Sequence, residues 1–355
     1  MMTRKYRIAV VPGDGIGWEI VPVGVQVLQA AAERLGFEIA TETFPYGAAY
    51  YKKTGKFLPD DALDTLKGFD AIYFGAVGLP DVDDTLPAKL FTFHIRKSFN
   101  QYVNYRPARL LPGIQSPLRN KTSADIDFVV IRENTEGEFV QVGGFVQPDL
   151  DYGLAMDTSV FTRRGVERVA HYSFRLAQRR RRKVTSITKS NTLIHSLAFW
   201  DRVIEQVSRS YPDVAYRKMY VDNASANFVL HPEYFDVILT TNFIGDILSD
   251  LGGAIMGSLG LGPSGNINPE KQYPSMFEPI HGSAPDIAGK GIANPIGTIW
   301  AGALMLEHLG EKEAAGLVVR AIEKTVQDGV RTVDLGGTAK TVDVGNHVVQ
   351  NVREL

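Results

Sequence analysis

The chain has 355 residues, enough for one large or two medium domains, and 44% of them are apolar and 22% charged. Its formal net charge of −2 predicts neither a nucleic-acid partner nor a membrane surface, and its lack of cysteine excludes disulfides, thiolate metal sites and cysteine nucleophiles. The apolar stretch at the N-terminus is too short for a signal peptide, so we expect a cytoplasmic protein.

Short β-rich runs alternate with longer helical patterns, which predicts an α/β fold with a largely parallel sheet. Buried strands are predicted at 7–11, 70–77, 126–134, 183–189 and 235–241. Helices are predicted at 18–36, 162–180 and 294–310. Gly36 and Gly310 are expected to end the first and the last of these helices, because glycine adopts the left-handed conformation of a C-terminal cap.

Two further segments are less regular. Segment 141–160, QVGGFVQPDLDYGLAMDTSV, is interrupted by glycines and flanked by strand-like residues. A protruding two-stranded arm and a plain surface loop remain equally open for it. The basic run 179–183, RRRRK, is interpreted as a solvated helix end before a strand rather than as a binding patch.

A glycine-rich turn follows the first predicted strand and opens the first predicted helix. VPGDGIGWE (11–19) places Gly13, Gly15 and Gly17 in a G-x-G-x-G pattern, whereas the dinucleotide phosphate fingerprint requires G-x-G-x-x-G. We therefore reject a Rossmann assignment. A glycine turn close to a ligand remains open.

Three arginines stand on or beside strand-like runs: Arg96 in HIRKS, Arg106 in NYRPA and Arg132 in VIREN. Taken singly, each is expected to be a surface or salt-bridged residue. A guanidinium beside a buried run needs an anionic partner, and its planar fork suits a carboxylate. If the three converge, they would bind a small polycarboxylate.

Other polar residues follow strands or lie in glycine-rich loops. Lys189, Asn191 and Asp222 come just after apparent strands, and open α/β sheets bind ligands at the carboxyl ends of their strands. The run EPIHGSAPDIAGKGIANP (278–295) is rich in small residues that let a backbone approach a flat ligand, and its Asp286 suits two ribose hydroxyls. A turn-rich loop without a ligand is the alternative.

The run GDILSDLGG (245–253) places Asp246 and Asp250 one helical turn apart. Like charges at this spacing repel each other, so the arrangement is favourable only if a positive group lies between them. No histidine in the chain has metal-ligand spacing to another histidine.

Together these segments point to one family. PGDGIG, RENTEGE, FTRRG, GDILSDLGG and HGSAPDIAGKGIANP, spread over about residues 6–340, resemble the β-decarboxylating dehydrogenases of isocitrate, isopropylmalate, D-malate and tartrate. RENTEGE, FTRRGVERV, TKSN and GIANP look most like the tartrate/D-malate branch. The resemblance implies a two-domain, non-Rossmann α/β subunit. Residues 1–101 and 258–355 would form a large, NAD-binding domain, and 102–257, with an arm at 141–160, a small domain at the contact of a homodimer.

The resemblance also assigns roles to residues of an active site shared between two subunits. Asp246 and Asp250 would bind Mg²⁺ or Mn²⁺ with Asp222 of the partner subunit, since carboxylates without sulfur or imidazole suit a hard cation. Lys189 of the partner subunit, with Asp222, would take the substrate's hydroxyl proton. The substrate, a small hydroxy-dicarboxylate, would be bound by Arg96, Arg106 and Arg132. NAD would contact Asn191, Glu278, His281, Gly282, Ser283, Ala284, Asp286, Ile287 and Asn294. A K⁺ requirement is left open.

Two positions decide what the resemblance implies about the reaction. The family places an enol-protonating tyrosine seven residues after the arginine of the RE motif, where this chain has Phe139. Tyr102, Tyr105 or water would have to substitute, or decarboxylation would be inefficient. Isopropylmalate enzymes present a leucine four residues before Arg96, where this chain has Thr92, and a hydroxyl there favours malate or tartrate. The alternatives are 3-isopropylmalate as substrate and a catalytically impaired subunit with a binding or regulatory role.

Overall fold

The computed structural model describes residues 4–355, and within them the chain forms the following elements. The strands are β1 (Lys5–Gly13), β2 (Glu38–Thr43), β3 (Ala71–Ala76), β4 (Val103–Arg109), β5 (Asp127–Glu133), β6 (Gly137–Val146), β7 (Leu154–Val160), β8 (Lys183–Thr188), β9 (Ala215–Tyr220), β10 (Val237–Thr240), β11 (Pro263–Ile267) and β12 (Ser275–Pro279). The helices are α1 (Gly17–Leu35), α2 (Ala48–Thr54), α3 (Ala62–Leu66), α4 (Thr85–Pro87), α5 (Phe93–Ser98), α6 (Arg163–Gln178), α7 (Ser196–Ser208), α8 (Val221–Leu230), α9 (Asn242–Ile255), α10 (Ile296–Leu309), α11 (Lys312–Gln327) and α12 (Thr341–Glu354).

One ten-stranded sheet runs through the molecule in the order β2-β1-β3-β12-β11-β4-β5-β10-β8-β9. Its two ends are parallel, and β11 pairs antiparallel with β12 and β4, as β4 does with β5. The predicted α/β fold with a largely parallel sheet is confirmed. In the order of the sheet, the expected boundary between the two domains falls between the neighbouring strands β11 and β4. The division into two domains stays a prediction.

Helices cover both faces of this sheet, so β3, β10 and β12 are buried along their whole length. Neighbouring residues of β4 show which helices lie on which face, because adjacent side chains of a strand point to opposite sides. Arg106 contacts α9, whereas Tyr105 lines a cavity with α6 and α10. The two faces around β4 therefore carry separate groups of polar residues.

The predicted elements are found with shifts of a few residues at their ends. The five predicted strands are β1, β3, β5, β8 and β10, and the three predicted helices are α1, α6 and α10. Gly36 and Gly310 end their helices with φ values of 72° and 106°. None of the helices in residues 4–355 is both long and apolar enough to cross a membrane.

The less regular segments also have defined structures. β6 and β7 pair antiparallel over 137–160 and form an arm, so the two-stranded alternative is confirmed. The basic run 179–183 lies between the end of α6 and the start of β8, as interpreted. Within it, Arg180 forms ion pairs with Asp127 and Asp236.

Candidate active site

The carboxylates of α9 lie beside arginines of two neighbouring strands. Nη1 of Arg106 is 3.3 Å from Oδ1 of Asp250 and 3.7 Å from Oδ1 of Asp246. Arg132 forms an ion pair with Asp246. Within the single chain, the positive group shared by the two carboxylates is therefore Arg106. Asp246 and Asp250 keep 45% and 54% of their side-chain surface exposed, which leaves carboxylate oxygens accessible to a further cation.

The protonation of this cluster follows from burial and from its own charges. Burial alone would raise the pKa of Asp246. The positive charges of Arg132, Arg106 and Arg96 outweigh burial and hold this pKa below its usual value. Burial raises the pKa of Asp250 above its usual value; Arg106 opposes the rise and Asp246 adds to it. Burial lowers the pKa of Arg132 to about 9, so its guanidinium stays charged at neutral pH.

Arg96 approaches the same cluster from α5; burial lowers the pKa of both Arg106 and Arg132, and the charge of Arg96 adds to this lowering. Its Nη2 donates to Oε1 of the buried Glu278 at 2.8 Å. The Nε atoms of Arg96 and Arg106 are buried and have no acceptor within residues 4–355. A buried donor without an acceptor is costly, and an anionic ligand would supply acceptors for both. The three predicted arginines thus converge on one site, and two of their Nε donors there have no acceptor.

Sequence reasoning missed two residues that orient these arginines. Arg132 Nε donates to Oδ1 of Asn242 at 2.8 Å, and Arg106 Nη1 donates to Oγ of Ser249 at 2.7 Å. Ser249 lies between the two aspartates in GDILSDLGG, so the sequence contained a signal for it. Asn242 begins α9 and carries no comparable signal, because its role depends on the strand packed against it.

Phe139, near the start of β6, lies against the cluster. Its ring centre is 5.7 Å from the guanidinium carbon of Arg132, 5.7 Å from the ring of Phe93 and 5.9 Å from the ring of Phe243. A tyrosine at this position would place its ring among the same neighbours. The surroundings of Phe139 are therefore aromatic, and its own side chain offers no proton.

The two tyrosines suggested as substitute proton donors have other surroundings in the chain. The hydroxyl of Tyr102 donates to Glu270 at 2.7 Å. Tyr105 follows the alternation of β4 and points to the opposite face from Arg106, into a cavity that Tyr172 also lines. The suggestion that Tyr105 replaces the family tyrosine is therefore wrong, and Tyr102 is already engaged elsewhere.

Lys189 and Asp222 form a second group. Lys189 follows β8, Asp222 lies in the first turn of α8, and Nζ and Oδ1 are 2.6 Å apart. The hydrogen bond from Lys189 holds the pKa of Asp222 below its usual range. Asn191 is exposed in the turn after Lys189. Residues 4–355 of a single chain gather no group of three or more histidine or carboxylate ligands for a metal ion, so completion of the site by a second subunit stays a prediction.

The predicted cofactor loop lines two clefts. The first, about 440 Å³ in volume, is bounded by Thr92, Gly282 and Ser283 among others. The second, about 280 Å³, is bounded by several predicted cofactor residues, namely His281, Ala284, Ile287 and Asn294. Nε2 of His281 is buried and has no partner in the described part of the chain, so a ligand in this second cleft could supply one. Asp286 is exposed on the same loop.

Two predicted cofactor residues are engaged within the chain. Besides the bond from Arg96, Oε1 of Glu278 accepts a bond of 2.6 Å from Nδ2 of Asn266. Asn294 donates to Asp334 at 2.9 Å and caps the first backbone N–H of α10 at 3.0 Å. Both residues support the walls of the clefts, and their contact with a cofactor stays a prediction.

The glycine turn at 13–17 holds the cofactor loop in place. The backbone N–H of Ile16 donates to the carbonyl of Ser283 at 2.9 Å, and the carboxylate of Glu19 accepts from the N–H of Gly291 at 2.8 Å. Gly15 has a φ of 54°, and a Cβ there would lie 2.0 Å from the carbonyl oxygen of Ser283. The turn thus supports the ligand loop through backbone contacts.

Comparisons with known proteins agree with this geometry. The chain matches the model of the isocitrate/isopropylmalate dehydrogenase family over residues 7–348. It is 49% identical to a D-malate dehydrogenase (decarboxylating) of Escherichia coli, over 98% of each chain, and 48% identical to a tartrate dehydrogenase/decarboxylase of Pseudomonas putida, over 100% of each. A crystal structure of isocitrate dehydrogenase from Methylococcus capsulatus aligns with a TM-score of 0.89 and 36% identity, over 98% of this chain and 99% of that one. The chain therefore belongs to the isocitrate/isopropylmalate dehydrogenase family and is an oxidoreductase.

Proposed function

We propose that the chain is an NAD- and metal-dependent dehydrogenase that oxidises a small (2R)-hydroxy dicarboxylic acid, tartrate or D-malate, with β-decarboxylation. The observation that carries this proposal is the convergence of Arg96, Arg106 and Arg132 on Asp246 and Asp250. Guanidinium donors suit the two carboxylates of the substrate, and a carboxylate pair suits a divalent cation. The names of the relatives from Escherichia coli and Pseudomonas putida support the choice of substrate.

Asp246 and Asp250 fit Mg²⁺ or Mn²⁺ because both offer accessible oxygen atoms from one face of α9. Asp222 of the partner subunit is the proposed third carboxylate. When bound, the cation supplies Lewis-acid chemistry, which lowers the pKa of the substrate's C2 hydroxyl and polarises the later carbonyl. Its charge also offsets the repulsion between the two aspartates of α9.

The chain's own residues bind the substrate and move its proton. Arg96 and Arg106 offer their unpaired Nε donors to the carboxylates, and Arg132 fixes the position of Asp246. In its neutral form, Lys189 of the partner subunit would take the hydroxyl proton at Nζ, and its bond to Asp222 would hold the amine in place. The loop 278–294 would hold NAD, which would supply the hydride acceptor.

A homodimer is the proposed assembly. Within residues 4–355, large apolar side chains are exposed on α8, on α9 and on the arm, namely Val229, Leu230, Phe243, Ile247, Phe145 and Met156. Exposed apolar groups concentrated on neighbouring elements mark surfaces that another protein covers. A twofold dimer through these elements would bring the Lys189–Asp222 group of one subunit towards the other.

Subunit mixing tests whether the site is shared. At a limiting Mn²⁺ concentration, Lys189→Met and Asp250→Asn homodimers should both be nearly inactive, because each has the same defect in both sites. A heterodimer of the two variants has one site with both defects and one intact site, so a random mixture should regain about a quarter of wild-type activity. A mixture of Asp246→Asn and Asp250→Asn subunits is the control and should regain none. Failure of the first mixture to exceed its parents would contradict the shared site.

Cofactor choice is expected to follow from Asp286. Its exposed carboxylate is proposed to accept the ribose hydroxyls of the adenosine, and its charge would repel a 2′-phosphate. We expect kcat/KM for NAD⁺ to exceed that for NADP⁺ by at least about tenfold, roughly 1.4 kcal/mol. Asp286→Asn should narrow this ratio. Equal values for the two cofactors in the wild type would contradict the assignment.

Thr92 provides the experiment that tests the proposed substrate. It lines the same cleft as Gly282 and Ser283, where a substituent on C3 of the substrate is proposed to lie. Thr92→Leu should lower kcat/KM for D-malate and raise it for 3-isopropylmalate, because a methyl-sized apolar contact is worth about 10- to 200-fold in such a pocket. Thr92→Val, which replaces the hydroxyl with a methyl group at nearly the same size, is the matched control. A wild type that prefers 3-isopropylmalate would contradict the proposal.

A further inference from the structure

A cavity of about 490 Å³ lies on the sheet face opposite the arginine cluster. We call it the back cavity. Tyr105 of β4 lies on its sheet side, Tyr172 lies within α6 and Arg179 directly follows this helix, and Glu307 and Lys312 lie where α10 passes into α11. The proposed catalytic residues take no part in it. Its volume is within the range of about 300 to 1,000 Å³ that is typical of small-molecule sites.

The polar groups of the back cavity lack partners within the chain. Arg180 is paired with two aspartates, whereas the neighbouring Arg179 forms no side-chain hydrogen bond or ion pair within residues 4–355. The same holds in this range for the side chains of Glu307 and Lys312, and for the hydroxyls of Tyr105 and Tyr172, which all line the cavity. Arg179, Glu307 and Lys312 are exposed to solvent. Two cations, one carboxylate and two hydroxyl donors are thus available to a ligand.

The neighbourhood of these groups favours a ligand with one negative charge. Burial raises the pKa of Tyr105 to about 12, with Arg180 opposing and Glu307 adding to the rise, so the hydroxyl remains a donor at neutral pH. Among the unpaired charged groups of the lining, Arg179 and Lys312 exceed Glu307 by one positive charge, whereas Arg180, which also lines the cavity, is paired with Asp127 and Asp236. A second carboxylate on the ligand would meet Glu307 and be repelled.

Four other lining residues are apolar, and Arg180 and His308 complete the wall. Leu176 of α6, Leu304 of α10, Ile267 of β11 and Phe277 of β12 supply this surface. In pockets that bind small organic molecules, apolar surface holds the body of the ligand and polar groups fix its orientation. An inorganic anion would leave this apolar surface uncovered, whereas the body of an organic acid would cover it.

From these contacts we propose that the back cavity binds a small organic monocarboxylate with an apolar body. Its carboxylate lies between Arg179 and Lys312 and accepts from the tyrosine hydroxyls, and its body packs on the apolar wall. Dicarboxylates such as the proposed substrates are excluded by Glu307. The site is separate from the active site, so its occupant does not compete with D-malate.

Equilibrium dialysis with labelled benzoate tests this site independently of catalysis. Arg179→Gln should weaken benzoate binding at least about tenfold, because it removes a charge-assisted hydrogen bond. Glu307→Gln should strengthen binding, because it removes the repelling charge. Arg182→Gln is the matched control, since it makes the same charge change on an exposed arginine of the same run that does not line the cavity. It should bind as the wild type does.

Three further ligands define the chemistry of the site. Benzyl alcohol has the ring without the charge and phosphate has charge without the ring, so neither should displace benzoate at equal concentration. D-malate should not displace it either. Benzoate in the back cavity of a soaked crystal would support the proposal. Absence of saturable binding to the wild type, equal affinities of the Arg179→Gln and Arg182→Gln variants, or displacement by any of these three ligands would overturn it.

Discussion

Asp250→Asn and Asp246→Asn are each expected to raise the Mn²⁺ concentration for half-maximal activity by on the order of 10²-fold. The substitution keeps the size of the side chain and removes one negative charge from the proposed cation site. Asp250 contacts only Arg106 among the arginines, whereas Asp246 also pairs with the buried Arg132. Asp246→Asn should therefore also raise KM for the substrate, since it leaves Arg132 without its counter-ion.

The measurement is a Mn²⁺ titration of activity, accompanied by Mn²⁺ binding followed by electron paramagnetic resonance. Asp64→Asn, at an exposed position in α3, removes the same charge far from the cluster and is the control. This variant should leave both the Mn²⁺ dependence of activity and the Mn²⁺ binding curve unchanged. If Asp246→Asn and Asp250→Asn bind Mn²⁺ as tightly as the wild type does, the cation does not bind at α9.

Phe139→Tyr is expected to raise the yield of CO₂ per NADH with D-malate. The wild-type ring lies next to Arg132 and stacks on Phe93, so a tyrosine fits the same space and adds a hydroxyl at the site. Help from a general acid is typically worth about 10² to 10⁴ in rate. This gain should appear in release of the decarboxylated keto acid, whereas hydride transfer in a single turnover should barely change.

Water is the competing proton donor, because Tyr105 points away from the site and Tyr102 is bonded to Glu270. If water already protonates the enolate efficiently, the wild type will release one CO₂ per NADH and Phe139→Tyr will change neither product. Phe243→Tyr adds a hydroxyl to a neighbouring ring and is the control. Full stoichiometry at a normal rate in the wild type would show that Phe139 does not limit decarboxylation.

The sequence predicts the parallel strands on either side of the middle of the sheet, but neither the three strands in the middle nor the two at the edges. β3, β5 and β10 are nearly continuous apolar runs, so their burial on both faces can be read directly. β4 carries Arg106 and Pro107, and β11 consists of PSGNI. These strands form because antiparallel neighbours pair with them, and such tertiary pairing leaves no periodic signal in the chain.

The candidate site shows the same limit. The repulsion between Asp246 and Asp250 implies that a positive group lies near them. Only the folded structure shows that, within one chain, this group is Arg106. The glycine turn was open to a ligand role, and the structure shows it supporting the loop that carries Ser283. In both cases the missing information was which distant backbone segments lie side by side.

The most direct test of the proposed function is the initial rate of NADH formation by the wild-type enzyme with NAD⁺ and Mn²⁺. D-malate, both tartrates, 3-isopropylmalate and isocitrate should be compared, each with and without a chelator. We expect D-malate or a tartrate to give the highest kcat/KM, and the chelator to abolish the activity. A higher kcat/KM for 3-isopropylmalate or isocitrate, activity that survives the chelator, or no NADH from any of the five would contradict it.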